Sequence, residues 1–221
     1  MFDFYNNHPT LHNVDLMLKE QAFFKPALSF LIWKRTFDLF GALLLLTLVV
    51  LFGLVLLVAN PFFNPGPLFF TQKRMGRECE PFQALKFRTM VCASEITRSA
   101  FDALEHDRIR PFGRFLRRCR IDELPQVLNV LRCDMSLIGP RPDFYDHAVV
   151  YVDMVHGYRE RHRMRPGISG YAQVRHGYIE GMDGVRNKVS ADLQYIANAS
   201  VRFDLQITWA TIKVIVGRRG M

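Results

Sequence analysis

The sequence predicts an α+β fold, mainly helical: a re-entrant membrane helix near the N-terminus, followed by a compact polar domain that carries a short β-hairpin and amphipathic surface helices. Three observations predict it. From Leu39 to Ala59, 21 successive residues carry no charge, about the thickness of a hydrocarbon core at ~1.5 Å per residue. Two short strand-like runs flank a turn-rich segment just after it. Beyond them, apolar residues recur at helical spacing among many arginines.

Taken in order, residues 1–33 form a mixed lead-in in which Phe23, Phe24, Phe30 and Trp33 suggest an interfacial or partner-binding stretch. Residues 34–67 hold the membrane-inserted helix and its turn. Lys34, Arg35 and Asp38 precede the apolar run, and Asn60-Pro61 and Pro65-Gly66-Pro67 end it. Helix is the state expected of such a segment in lipid, where every backbone polar group needs an internal partner. Two geometries fit, a full crossing or a helix that enters and returns on one side. Basic residues lie on both flanks, with Lys73, Arg74 and Arg77 after the run, and basic flanks favour the cytoplasm. A re-entrant or shallow helix satisfies that preference; a simple span does not. Gly41 and Gly53 are candidates for a bend.

Residues 68–221 form the polar domain. Strands are expected over Leu68–Gln72 and Gln83–Phe87. Ile109, Phe112, Leu116 and Cys119 mark one helix face, and Leu124, Val127, Leu128 and Leu131 mark that of a helix over Glu123–Leu131. A third helix is expected over Tyr145–Arg161, loops at Gly167–Gly170 and Gly177–Gly184, and late helices over Lys188–Ala197 and Asp204–Val216. The last, rich in Ile, Val and Trp209, suits either the core or the membrane surface.

Charge and cysteine content narrow the function. The formal net charge is +8, which implies anionic partners: lipid headgroups, phosphorylated small molecules or nucleic acid. The four cysteines include no CxxC pair, which argues against structural zinc and for free thiols in a reducing compartment. The apolar run begins too late and is too long for a removable signal peptide.

Four constellations carry possible chemistry. The densest is Arg120-Ile121-Asp122-Glu123-Leu124-Pro125. Asp122 is an N-cap candidate, and Pro125 is tolerated in a first helical turn. Adjacent acids there point different ways, so one can attack phosphorus while the other holds a hard divalent ion. Capping plus a surface ion pair explains the local pattern equally well. In Asp134–Asp143, two prolines bracket Arg141 and suit its guanidinium to bidentate phosphate contact; a rigid turn with an exposed arginine is the plainer reading. Asp134 is either a third carboxylate near a metal or a cap. In Lys86–Met90, strand alternation puts Lys86 and Arg88 on one side, to clamp a diphosphate or to face anionic lipid. The Gly-rich turn after Arg165 resembles a ligand loop but lacks the strand–GxxxxGK–helix context of a nucleotide P-loop. The histidines form no HExxH or close ligand pair.

The order and combination of these pieces resemble the bacterial polyprenyl-phosphate hexose-1-phosphate transferases, small monotopic sugar transferases that initiate exopolysaccharide synthesis. The resemblance covers nearly all of residues 34–221. It is carried by Lys34-Arg35 with Phe37-Asp38, Pro65-Gly66-Pro67, Lys86–Met90, Ile121–Asn129, Asp134–Pro142, Arg165–Gly170 with Gln173, and the tail around Asp204 and Lys213. It implies transfer of a sugar 1-phosphate from a UDP-sugar to polyprenyl phosphate, with release of UMP, at the cytoplasmic face of the bacterial inner membrane. It further implies Asp122 as nucleophile of a covalent phosphosugar intermediate and Glu123 as ligand of a catalytic Mg2+. Arg88 and Arg141 are implied near phosphates or nucleotide, with Lys86, Asp134 and Arg165 added to the site. One departure stands out: members of the family commonly break the membrane helix with a proline, and Leu39–Ala59 has none.

The expected partners are therefore a UDP-sugar, polyprenyl phosphate and anionic membrane lipids, with a homodimer the natural oligomer and no nucleic acid, for which no reading element is evident. Glucose or galactose is the expected hexose, with N-acetylated sugars as the alternative. Two other functions compete: a membrane-bound UDP-sugar pyrophosphatase or phosphatase using water as acceptor, and a non-catalytic polysaccharide assembly protein.

Overall fold

The uncharged run lies within one unbroken helix, α1, Leu28–Phe63. The protein is described here by a computed structural model covering residues 26–90, 109–176 and 181–217; Phe23 and Phe24 of the lead-in lie outside the described residues. One stripe of α1 is buried, made by Phe30, Lys34, Asp38, Ala42, Val49, Leu56 and Asn60. Steps of four and seven residues keep these side chains on one line along a helix. The opposite face is exposed and apolar, including Leu43, Leu44, Val50, Leu51, Leu54 and Val58. Gly41 and Gly53 are not bend points in this helix. A Cβ at Gly41 would meet the Leu137 side chain at 2.5 Å, and Gly53 faces the Phe87 ring, so both serve close packing on the domain.

The hairpin follows. Strand β1 (Phe69–Met75) pairs antiparallel with β2 (Pro81–Phe87), longer than expected at its turn end. Pro111 opens helix α2 (Pro111–Arg118) at its first positions, where its missing N–H costs nothing. Instead of one helix from Glu123, the next segment is a 3₁₀ turn over Ile121–Gln126 leading into a short helix, α3 (Val127–Leu131). Pro125 lies inside that turn, and its lack of an N–H favours the tighter winding there.

The Gly167–Gly170 segment, expected as a loop, instead begins as a strand paired with the start of the Asp134–Asp143 stretch. Strand β3 (Ser136–Ile138) pairs parallel with β4 (Gly167–Ser169). A Cβ on Gly167 would lie 2.2 Å from the Gly139 backbone nitrogen, so this backbone approach requires glycine. Helix α4 stops at Met154 (Tyr145–Met154), and the chain turns through a second 3₁₀ segment, Glu160–Arg163, rather than continuing as helix to Arg161. After β4 come α5 (Tyr171–His176), α6 (Gly181–Ala197) and α7 (Val201–Val216). Ser200 caps α7, accepting from the Phe203 N–H at 3.3 Å.

Three apolar clusters hold these elements. Ala42, Val49 and Leu56 of α1 pack with Phe87, Leu116, Val127, Val130 and Met135. Met75, Tyr151, Val155, Tyr158, Val189 and Leu193 join β1 to α4 and α6. Ile138, Tyr171, Ala191, Tyr195, Ile196 and Ile207 join β3 to α5–α7.

Polar bonds fix α1 in register against this core. Lys34 Nζ donates to Asp204 Oδ2 and to the Ile138 carbonyl, each at 2.8 Å. Asp204 Oδ1 also accepts from the Tyr195 hydroxyl at 2.8 Å. Asp38 Oδ1 accepts from Ser136 Oγ and the Leu137 N–H, both at 2.9 Å. Arg35 caps the last carbonyls of α3, at Val130 (2.9 Å) and Leu131 (3.3 Å).

Candidate active site

The chain enters the site through Arg120, a non-glycine residue in the left-handed region with φ 57°. Such a conformation is uncommon outside glycine, asparagine and aspartate. It turns the backbone sharply into the 3₁₀ segment and aims Asp122 and Glu123 inward. Both are buried. Asp122 does not act as the expected N-cap, since Arg120 occupies that position.

The two acids have opposite surroundings. Glu123 Oε1 accepts from Lys86 Nζ at 3.2 Å and from Arg141 Nη2. Its Oε2 accepts from Arg141 Nη1 at 3.1 Å and from Arg120 Nη1 at 3.5 Å. The Arg141 contact is therefore bidentate, the strong form of a guanidinium–carboxylate pair. Burial alone would raise the Glu123 carboxyl. Arg141, Lys86 and Arg120 outweigh it and hold the group well below the usual carboxylate range. Asp122 Oδ1 is buried with no hydrogen-bond partner among the described residues. Burial, reinforced by the Glu123 charge, raises its pKa to about 6, against the pull of Lys86, Arg117 and Arg141. Lys86 is itself lowered by burial, with Glu123 opposing.

Of the residues singled out in the sequence, Lys86, Asp122, Glu123 and Arg141 come together. Arg88 does not join them. Strand β2 ends at Phe87, so alternation no longer governs the next residue. Arg88 turns back to donate to the Pro67 carbonyl at 2.8 Å, to Asn64 Oδ1 at 3.1 Å and to the Met90 carbonyl at 3.2 Å. It clamps the turn that ends α1. Asp134 is likewise engaged elsewhere: its Oδ2 accepts from Asn129 Nδ2 at 3.1 Å. Arg165 is half-buried and has no hydrogen bond or ion pair among the described residues.

Sequence reasoning gave no role of their own to Arg120 and Asn129, though both lie in stretches it marked, and none to Arg117. Asn129 Oδ1 accepts from the Leu85 N–H at 3.0 Å and its Nδ2 donates to the Gln83 carbonyl at 2.7 Å, tying α3 to β2 beside Lys86. The available signal was one amide inside the apolar run Val127-Leu128-Asn129-Val130-Leu131, since a buried polar side chain needs partners. Arg117 donates to Thr89 Oγ1 at 2.9 Å.

Among the described residues no three Asp, Glu, His or Cys side chains group to hold a metal ion. Glu123 has both oxygens committed to cations, and Asp134 is bonded to Asn129. The acidic pair as placed does not fit a preformed magnesium site of two or three carboxylates. Positive charge reaches this pocket from Lys86, Arg117, Arg120 and Arg141. Cations gathered around one buried pocket favour a phosphate-bearing anion there.

Comparison with known proteins gives the same direction. The model of a family described as bacterial sugar transferase matches residues 29–218. A UDP-glucose:undecaprenyl-phosphate glucose-1-phosphate transferase of Caulobacter vibrioides is 41% identical over 181 residues, covering 81% of this chain and 68% of that protein. A UDP-N-acetylgalactosamine-undecaprenyl-phosphate N-acetylgalactosaminephosphotransferase of Aeromonas hydrophila is 39% identical over 183 residues. The match covers 83% of this chain but only 43% of that relative's length. The exopolysaccharide production protein PSS of Rhizobium leguminosarum bv. phaseoli is 36% identical over 194 residues, 82% of this chain and 94% of that protein. With most of its length matched by the family model, this chain belongs to the bacterial sugar transferase family.

Proposed function

We propose that this chain transfers a hexose 1-phosphate from a UDP-sugar to undecaprenyl or another polyprenyl phosphate, releasing UMP, as the first membrane step of exopolysaccharide assembly. The observation that carries this reading is the unpartnered, buried Asp122 oxygen beside a cation-rich anchor. In the first step, Asp122 Oδ1 attacks the sugar-bearing phosphorus of the UDP-sugar. The O–P bond to Asp122 forms, the P–O bond to UMP breaks, and UMP leaves with the electron pair. In the second, an oxygen of polyprenyl phosphate attacks the same phosphorus, giving the lipid diphosphate sugar and freeing the Asp122 carboxylate. A covalent intermediate divides one hard transfer into two.

The chain's cations account for the rest. Charge builds on phosphoryl oxygens and on the departing UMP, and preorganised cations stabilise it where water is scarce. Arg141 and Lys86 lie next to Asp122 along the Glu123 carboxylate, and Arg117 acts on it through its field. Glu123 keeps Arg141 and Lys86 in place. With a pKa near 6, Asp122 is mostly ionised at neutral pH and remains a better nucleophile than a strongly acidic carboxylate.

The acceptor is insoluble, so the pocket must sit at headgroup depth. The exposed apolar face of α1 supplies the attachment. Its buried stripe, with Lys34 and Asp38 at one end and Asn60 at the other, is committed to the polar domain. That arrangement, along an unbroken helix, supports a shallow helix held on one side, with the domain on the cytoplasmic face of the inner membrane. Basic residues around it favour anionic lipid.

The test is incubation of purified protein with a panel of UDP-sugars and polyprenyl phosphate, followed by mass analysis of the lipid. A lipid diphosphate sugar is expected, together with UMP. Release of sugar phosphate without a lipid product would select a pyrophosphatase instead. Cysteines introduced at Asn6 and at Met182 should label from the same side in intact cells; labelling from opposite sides excludes the one-sided helix.

A further inference from the structure

Arg141 does not stand on its own. The four successive carbonyls from Pro140 to Asp143 each have a donor. Pro140 accepts from the Gly167 N–H at 2.9 Å and Asp143 from the Met75 N–H at 3.1 Å. Pro142 accepts from Arg74 Nη1 at 2.5 Å, and Arg141 from Arg161 Nη2 at 2.6 Å. Three of these donors come from the hairpin or from β4. The fourth is a side chain from the interior.

Arg161 is fully buried, with 0% of its side chain exposed. Its Nε donates to Asp192 Oδ2 at 2.8 Å and its Nη1 to Asp143 Oδ2 at 2.6 Å. Asp143 also accepts from the Tyr158 hydroxyl at 2.7 Å and from Lys188. One planar guanidinium thus joins α6, through Asp192, to the carbonyl of Arg141 and to the carboxylate two residues further on. A lysine ammonium has no such fork. Burying these charges is costly, and a well-packed apolar group would serve stability as well or better. The geometry of the Arg141 loop is what the cluster adds.

We propose that Arg161 is a positioning residue for the transfer reaction, acting through the Arg141 carbonyl and Asp143 to hold the Arg141 guanidinium against Glu123 beside Asp122. This rests on the reading of Asp122, Glu123 and Arg141 as the reacting pocket. Arg161 itself touches neither acid of that pocket.

The test is a double-mutant cycle on turnover of UDP-sugar and polyprenyl phosphate by the full chain, with Arg161→Lys, Arg141→Ala and the double variant, each checked for a cooperative melt. Arg161→Lys is expected to lower kcat on the order of 10²-fold, the scale of a small misplacement of a catalytic group, with a much smaller change in KM. In the Arg141→Ala background the same change should cost less than about 3-fold, because the group it positions is gone. Equal losses in both backgrounds would overturn the proposal and leave Arg161 a structural residue. If Arg141→Ala alone leaves turnover intact, the pocket reading fails instead. Should Arg161→Lys not melt cooperatively, Asp192→Asn takes its place in the cycle. It keeps volume and an acceptor, removes the charge that orients the guanidinium, and must show the same dependence on Arg141.

Discussion

Two buried charge clusters lie on either side of the Arg141 loop, and their carboxylates are paired differently. In the interior cluster, Arg161 and Lys188 face Asp143 and Asp192, two cations for two carboxylates. In the pocket, Lys86, Arg120 and Arg141 converge on Glu123, while Asp122 Oδ1 has no hydrogen-bond partner among the described residues. The balanced cluster orders the chain. The pocket leaves Asp122 without an ion pair among the described residues, the arrangement that the proposed attack on phosphorus uses. Direct pairing of the carboxylates, more than burial, separates these two clusters.

The largest test of that contrast is Asp122→Asn. Turnover should fall on the order of 10⁴-fold or more, as for removal of other nucleophiles, measured as lipid product from UDP-sugar. The same variant should be more stable at pH 7. The Asp122 pKa is raised from 3.8 to about 6, so the folded state binds the proton more tightly than the unfolded state. Stability is therefore lost as pH rises from about 4 through 6, and removing the charge restores it, by roughly 1–3 kcal/mol in thermal or denaturant unfolding. An unchanged or lowered midpoint at pH 7 would break the link between the unpartnered oxygen and function.

Next in size is Arg141→Ala. We expect a loss of about 10²- to 10³-fold in kcat/KM, the scale of deleting one preorganised charge-stabilising donor. A smaller effect concerns pH. Because Asp122 must be ionised to attack, kcat/KM should fall about tenfold per pH unit below 6 and level off above it; a flat profile from pH 5 to 8 would remove Asp122 from the rate equation. The smallest effect belongs to Asp183→Asn. The Arg186–Asp183 pair is exposed at 54% and 91%, so stability should change by no more than about 0.5 kcal/mol and turnover not at all.

Much of the architecture was legible in the sequence because it is local. The charge-free run, the 3.6-residue spacing of Phe112 and Leu116, and the strand signals around Met75–Pro81 each need only near neighbours. The acidic pair and Arg141, marked in the sequence, come together in the structure. The departures from the local pattern share one physical origin. Arg88 was placed by strand alternation one residue past the strand's end, where tertiary bonds to Asn64 and Pro67 take over. Asp134 looked like a metal ligand because it lies close in sequence, yet Asn129 holds it. Arg161 and Asp192 were invisible, since each is a lone charge in an ordinary helical or turn pattern until contacts 31 residues apart bring them together.

The latch between α1 and α7 bears on how the protein is made. Lys34 and Asp204 are 170 residues apart, so at roughly 5–20 residues per second the ammonium waits about 10–30 s for its carboxylate. During that interval Asp38, one turn along the same helix, is the carboxylate within its field, and the latch closes only when α7 emerges and docks.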